Sequence, residues 1–136
     1  MSLENEAREK LIQMAMHVRH WAYAPYSNYP VGAAVLMSSG KMYDGVNVEN
    51  AAYPDGICAE RVALFKAISE GERELLAVVV ATENGGSPCG SCRQVLAEFG
   101  LHADVLLVNT QGEVLVETTV DQLLPGAFLP QHLTRY

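Results

Sequence analysis

The run Leu75-Leu76-Ala77-Val78-Val79-Val80-Ala81 restricts most tightly what this chain can become. It is wholly apolar and rich in valine, which predicts a central strand buried on both faces. Such a strand needs sheet neighbours at its edges and a covering layer above and below. The rest of the chain supplies candidates for both. Val31 to Met37 is a second apolar strand, and Ser38-Ser39-Gly40 turns it into a third from Lys41 to about Val48. Asp104 to Asn109 and Glu113 to Thr118 are two more. Their link, Thr110-Gln111-Gly112, is too short for a crossover and predicts an antiparallel hairpin.

Helical periodicity fills the remaining segments. From Leu3 to about Tyr23, the residues Leu3, Ala7, Leu11, Met14, Ala15, Val18 and Ala22 form one apolar stripe, with Ser2 as N-cap and Pro25 beyond the end. Cys58 to Glu70 is a helix stopped by Gly71, and Cys89 to Phe99 a helix closed by Gly100. Thr119-x-x-Gln122 resembles a capping box before a short last helix containing Leu123 and Leu124. The order αββαβαββα predicts an α/β fold of three layers, αβα, around a mixed five-stranded sheet. Pairing should be parallel in the middle and antiparallel in the two hairpins. With 136 residues, no internal repeat and no dividing linker, residues 1–136 are expected to form a single domain.

Charge and hydropathy narrow the partners. Nine Lys and Arg against sixteen Asp and Glu give a net charge of −7, and the basic residues are scattered. Polynucleotide binders carry a basic stripe that displaces counterions from phosphates, so neither nucleic acid nor an acidic membrane surface is expected as a partner. The longest apolar runs fall far short of the roughly 18 residues that span a bilayer. Met1-Ser2-Leu3-Glu4-Asn5-Glu6 lacks the basic leader and apolar stretch of a secretory signal, so a cytoplasmic setting is the expectation.

The three cysteines fall at two predicted helix starts, in Cys58-Ala59-Glu60 and in Pro88-Cys89-Gly90-Ser91-Cys92. Free backbone N–H groups and the positive end of the helix dipole favour thiolate there. Cys89 and Cys92 share one side of a first turn, and Cys58 would complete three protein ligands with a fourth tetrahedral position open. That is the catalytic zinc arrangement, whereas structural zinc takes four protein ligands. Other readings stand beside it. A lone C-x-x-C can be a redox dithiol, and buried cysteines are often small hydrophobes. A structural site might recruit His17, His20, His102 or His132, although none forms a compact ligand pair with a cysteine.

Glu60 bears on that choice. Two positions beyond Cys58, it can approach the open position without ligating, accept a proton from water activated by the metal and deliver it to a substrate nitrogen. Three thiolates oppose the activation of water, so positive charge is needed nearby, and Arg61 and Arg93 are candidates for that compensation. Taken singly, Glu60 would be a glutamate favouring the helix dipole, and both arginines a solvated face.

The combination resembles the zinc-dependent deaminases, whose chemistry uses a related motif. Ala24-Pro25-Tyr26-Ser27, Val31-Gly32-Ala33-Ala34, Asn47-Val48-Glu49-Asn50-Ala51-Ala52-Tyr53, Cys58-Ala59-Glu60-Arg61, Pro88-Cys89-Gly90-Ser91-Cys92-Arg93-Gln94 and Leu123-Leu124-Pro125-Gly126-Ala127-Phe128 are similar to segments of the small homotetrameric cytidine deaminases, in the same order. The resemblance implies a cytidine-deaminase-like fold, one zinc per chain on Cys58, Cys89 and Cys92, and Glu60 as proton shuttle. It implies that Asn47 and Glu49 hold the ribose of a nucleoside substrate. Their alternation along a strand, which points both side chains to one face, agrees. By the same resemblance the backbone of Ala59 reads the pyrimidine, and Tyr29, in place of a family phenylalanine, packs against the base. Ala51, Ala52 and Tyr53 correspond to a segment given by a neighbouring subunit, and Phe128 to an aromatic lid from another. The implied activity is hydrolytic deamination of cytidine and 2′-deoxycytidine, in pyrimidine salvage, by a homotetramer with shared sites. Two rivals remain: a deaminase of a cytosine-nucleoside antibiotic such as blasticidin S, and a catalytically silent zinc-binding interaction module. Ser91, Val46 and the first twenty residues depart from the family pattern without removing a catalytic group.

Overall fold

The computed structural model describes residues 3–133. Five strands form one sheet: β1 (Gly32–Met37), β2 (Met42–Val46), β3 (Leu75–Ala81), β4 (Asp104–Val108) and β5 (Val114–Thr119), in the spatial order β2-β1-β3-β4-β5. The apolar run of β3 lies at the centre, as its composition requires. Helices α1 (Asn5–Val18), α2 (Ala59–Ser69), α3 (Gly90–Gly100) and α4 (Val120–Leu123) complete the frame. The β3–β4 pair is parallel because α3 carries the chain across between them, and the other three pairs are antiparallel. The helix between β2 and β3 does not produce a parallel pair: β3 passes beyond β2 to lie antiparallel against β1.

Alternation divides the strands between two apolar layers. Ala33, Val35, Val78, Val80, Val105 and Leu107 pack with Ala59, Ala63, Leu64 and Leu96 of α2 and α3. Ala34, Leu36, Ala77, Val79, Leu106 and Val108 pack with Leu11, Ile12 and Ala15 of α1. A sheet buried on both faces in this way gives the three layers expected.

Several boundaries differ from expectation. The helix predicted to reach Tyr23 stops at Val18 and tightens into a 3₁₀ turn over Arg19–Trp21. Tyr23 instead joins the sheet margin, where its N–H donates to Asn47 O at 3.0 Å and its carbonyl accepts from Glu49 N at 2.8 Å. Ser2 lies outside the described residues, and Glu4 occupies the cap position without a side-chain bond. Gly71 ends its helix segment with φ +99°, as a glycine stop should. Gly100 ends α3 differently: the next residue stays right-handed, and an added Cβ at Gly100 would lie 2.5 Å from Leu75 O. The capping box at Thr119 does not form. The Thr119 hydroxyl turns to Asp121, and Gln122 accepts from the Thr118 hydroxyl at 2.7 Å.

One close approach positions the site. A Cβ at Gly45 of β2 would sit 2.5 Å from the backbone nitrogen of Ala63, so α2 rests directly on the strand. This fixes the first turn of α2, with Cys58, Ala59 and Glu60, beside the end of β2 and the Asn47–Glu49 segment that follows it.

Candidate metal centre and cleft

Cys58 caps α2 and Cys89 caps α3, both in extended backbone conformation, so two helix N-termini converge. The Cys89 sulfur accepts from the N–H of Cys92 at 3.5 Å, which draws the third sulfur into the same turn. Cys58 Sγ and Cys89 Sγ are 3.9 Å apart, Cys89 Sγ and Cys92 Sγ 3.5 Å, and all three lie within 4.8 Å of one another. Sulfurs at 2.3 Å from one tetrahedral zinc would be separated by about 3.8 Å. The donor set therefore fits a single zinc ion through three protein ligands. Among the described residues no histidine joins the cluster. His102 faces Asp121 at 3.4 Å, and His132 accepts from Leu129 N at 2.8 Å.

The surroundings grade the acidity of the sulfurs. The Cys58 thiol is lowered to about 5, first by its hydrogen bond with Cys92 and then by Arg61, whose Nη2 donates to Cys58 Sγ at 3.5 Å. The same sulfur contact and burial hold Cys92 above the ordinary thiol range. Arg61 thus stands where compensating charge was expected. Arg93 is directed elsewhere: its guanidinium donates to Pro88 O, Leu123 O and Ser87 Oγ, each at 2.8 Å, and so braces the loop that delivers Cys89. Planar donors suit such a three-way brace.

Glu60, in the first turn of α2, is only 5% exposed. Burial pushes its carboxyl up to about 7, the negative Cys58 adds to the rise, and Arg61 opposes it in part. A carboxyl so placed exchanges a proton readily near neutrality, as a general acid and base must.

Beside the sulfurs opens a cleft of about 550 Å³ whose walls include Ser27, Asn47, Glu49, Tyr53, Cys58 and Arg61. The Asn47 side chain accepts from Val31 N and donates to Tyr29 O, both at 2.9 Å. Glu49 accepts from Tyr26 N at 2.9 Å, from Ser27 N at 3.1 Å and from the Ser27 hydroxyl. The hydroxyl bond is the main reason its carboxyl lies below the usual range. Both side chains therefore border the cleft and at the same time shape the segment before β1. Sequence spacing gives no sign of the Ser27–Glu49 contact, which arises from tertiary folding.

The other expected site residues are more dispersed. Ala59 is fully buried under the cluster, while Ala51 is exposed in the bend before Tyr53. Tyr53 stands 75% exposed, edge-on to Tyr26 at 5.8 Å. Tyr29 is half-buried, its hydroxyl donating to Asn84 Oδ1 at 2.6 Å. Phe128 lies outside the cleft, 54% exposed and stacked on His132 at 5.5 Å, with its carbonyl accepting from Gln94 at 2.8 Å.

An αβα frame in which three cysteine sulfurs converge to fit one zinc, with a buried carboxyl in the adjoining helix turn, defines a zinc-binding α/β protein. The model of the cytidine and deoxycytidylate deaminase zinc-binding region matches residues 5–108. The cytidine deaminase of Sporosarcina psychrophila is 52% identical over 129 residues, covering 93% of this chain and 94% of that protein. The cytidine deaminase of Halalkalibacterium halodurans is 48% identical over 129 residues, covering 93% and 97%. The crystal structure of cytidine deaminase from Burkholderia pseudomallei aligns with a TM-score of 0.83 at 46% identity, covering 93% of this chain and 100% of that one. The chain belongs to the cytidine and deoxycytidylate deaminase family.

Proposed function

We propose that this chain hydrolyses cytidine and 2′-deoxycytidine to uridine and 2′-deoxyuridine with release of ammonia. The observation that carries the reading is the placement of Glu60, a carboxyl only 5% exposed in the first turn of the helix capped by Cys58, where the three sulfurs converge. A purely structural zinc site has no use for a proton-exchanging group in that place. Cys58, Cys89 and Cys92 would hold one zinc, which when bound would lower the pKa of a water toward neutrality. Glu60 takes the proton that the attacking water gives up and delivers it to N3 of the ring, while a C–O bond forms at C4. The second proton of that water passes through Glu60 to the 4-amino nitrogen, the C–N bond breaks, and ammonia leaves. Arg61 offsets thiolate charge throughout.

Asn47 and Glu49 hold the ribose, so that binding energy from the sugar places C4 for attack. The Ala59 backbone meets the pyrimidine, and the Tyr29 ring packs toward the base. Ala51, Tyr53 and Phe128 serve sites shared with neighbouring copies in a homotetramer. Exposure supports that assignment, because Trp21 at 76%, Tyr53 at 75% and Phe128 at 54% are large aromatic surfaces suited to contact. The acting unit is residues 1–136 as one domain, a reading supported by the single sheet that both apolar layers share. Its setting is pyrimidine salvage in the cytoplasm. No described helix is long and apolar enough to cross a membrane.

The test is ammonia release from cytidine by zinc-loaded protein, with Glu60→Ala alongside. The variant should keep its zinc and lose roughly 10²- to 10⁴-fold in turnover, the usual contribution of a positioned acid–base group. Unchanged turnover in Glu60→Ala would remove the proton shuttle. Release from an antibiotic nucleoside such as blasticidin S, but not from cytidine, would replace the substrate. No release from either, by assembled protein carrying one zinc per chain, would leave a silent zinc-binding module.

A further inference from the structure

Two loops leave the same end of the sheet side by side, because Gly32 at the start of β1 pairs with Ala81 at the end of β3. One is the segment before β1, shaped by Asn47 and Glu49. The other runs on from β3 and delivers Pro88 and Cys89. They meet at the Tyr29 hydroxyl, which donates to Asn84 Oδ1 at 2.6 Å. Tyr29 is itself fixed at both backbone groups: its N–H donates to Ser27 Oγ at 3.1 Å, and its carbonyl accepts from Asn47. Gly86 faces the hydroxyl from the other loop, where an added Cβ would lie 2.4 Å from Tyr29 Oη but 3.4 Å from the ring carbon behind it. Gly86 cannot withdraw easily, since its N–H donates at 2.9 Å to the hydroxyl of Thr82, a residue only 2% exposed.

From this geometry we infer that the Tyr29 hydroxyl is a latch, fastening the loop on the nucleoside side of the cleft to the loop that carries the zinc ligand Cys89. Tyr29 and Asn84 are positioning residues: they act on the metal through Cys89, and Gly86 is required because only a residue without Cβ fits against the hydroxyl. The inference rests on the deaminase reading for its consequence in turnover, but its principal readout is the metal.

The experiment measures zinc transfer from the loaded, full-length protein to a chromogenic chelator. Tyr29→Phe removes the hydroxyl and keeps the ring, and should speed release roughly two- to fivefold, the range for one partly solvated hydrogen bond. Asn84→Ala should do the same, and the double variant should do no more than either alone. Cobalt(II)-loaded Tyr29→Phe should show a shifted sulfur-to-cobalt absorption band. Gly86→Ala should release zinc faster than the unsubstituted chain, and adding Tyr29→Phe should slow it again, because the clash is with the oxygen alone. Additive effects of Tyr29→Phe and Asn84→Ala, or no rescue of Gly86→Ala, would overturn the latch. If Gly86→Ala does not fold, the Tyr29 and Asn84 cycle decides alone. The deaminase reading fails separately: a chain that shows this cycle but releases no ammonia keeps the latch and loses the assigned reaction.

Discussion

Glu49 holds its charge within a set of donors from Tyr26 and Ser27, and this ties the cleft to acidity. Its folded-state carboxyl lies below the ordinary 4.5. The folded chain therefore prefers the ionised form, and the stabilisation is complete above the unfolded pKa. It is lost as pH falls through the folded value. Glu49→Gln should flatten the acid side of the stability profile, measured as denaturation midpoint against pH, and leave the neutral side nearly level with respect to pH. A variant whose acid-side slope matches the unsubstituted chain would show that Glu49 does not bear the linkage. At this scale the grouping of Cys58, Cys89 and Cys92 was legible in sequence, because cysteines placed at two helix starts reach one point once those helix ends meet. The partners of Asn47 and Glu49, and Leu123 O for Arg93, were not, because each is brought by a segment distant in sequence.

Among the elements, α3 joins the ligand loop to the tail. Through Arg93 it grips Pro88 O and Leu123 O, and through Gln94 it grips Phe128 O, so two adjacent residues of one helix hold both the ligand loop and the tail. Arg93→Ala should destabilise the zinc-loaded protein by about 2 kcal/mol, since hydrogen bonds from a charged donor exceed neutral ones and the carbonyls are left unpaired. Arg93→Lys should recover only part of this, because one ammonium cannot reproduce the planar fork. Denaturant titration of both variants checks the order, and equal stability of Lys and Arg would contradict the brace. The strands were readable as elements because apolar runs of their length between turns have few other solutions. The end of α1 was not, because its stripe continues to Ala22 while the backbone of Tyr23 is captured by Asn47 and Glu49. Local periodicity lost there to sheet pairing.

For the whole molecule, the exposed aromatics set an expectation about assembly. The protein should sediment at four times its 14.8 kDa chain mass, and Trp21→Glu should shift it toward smaller species with a parallel loss of turnover. A monomer that deaminates cytidine at full rate would contradict shared sites. The position of the sulfurs has a second consequence at this scale. Cys58 precedes the central strand and Cys89 follows it, so a shared ion ties a loop of about thirty residues around β3. In polymer terms that is a ring closure, equivalent in chain entropy to a cross-link of about 3–4 kcal/mol. Chelation should therefore lower the melting temperature of this protein as well as stop its chemistry, which calorimetry with and without a chelator will register. The ion that serves the reaction also acts as a removable staple through the middle of the chain.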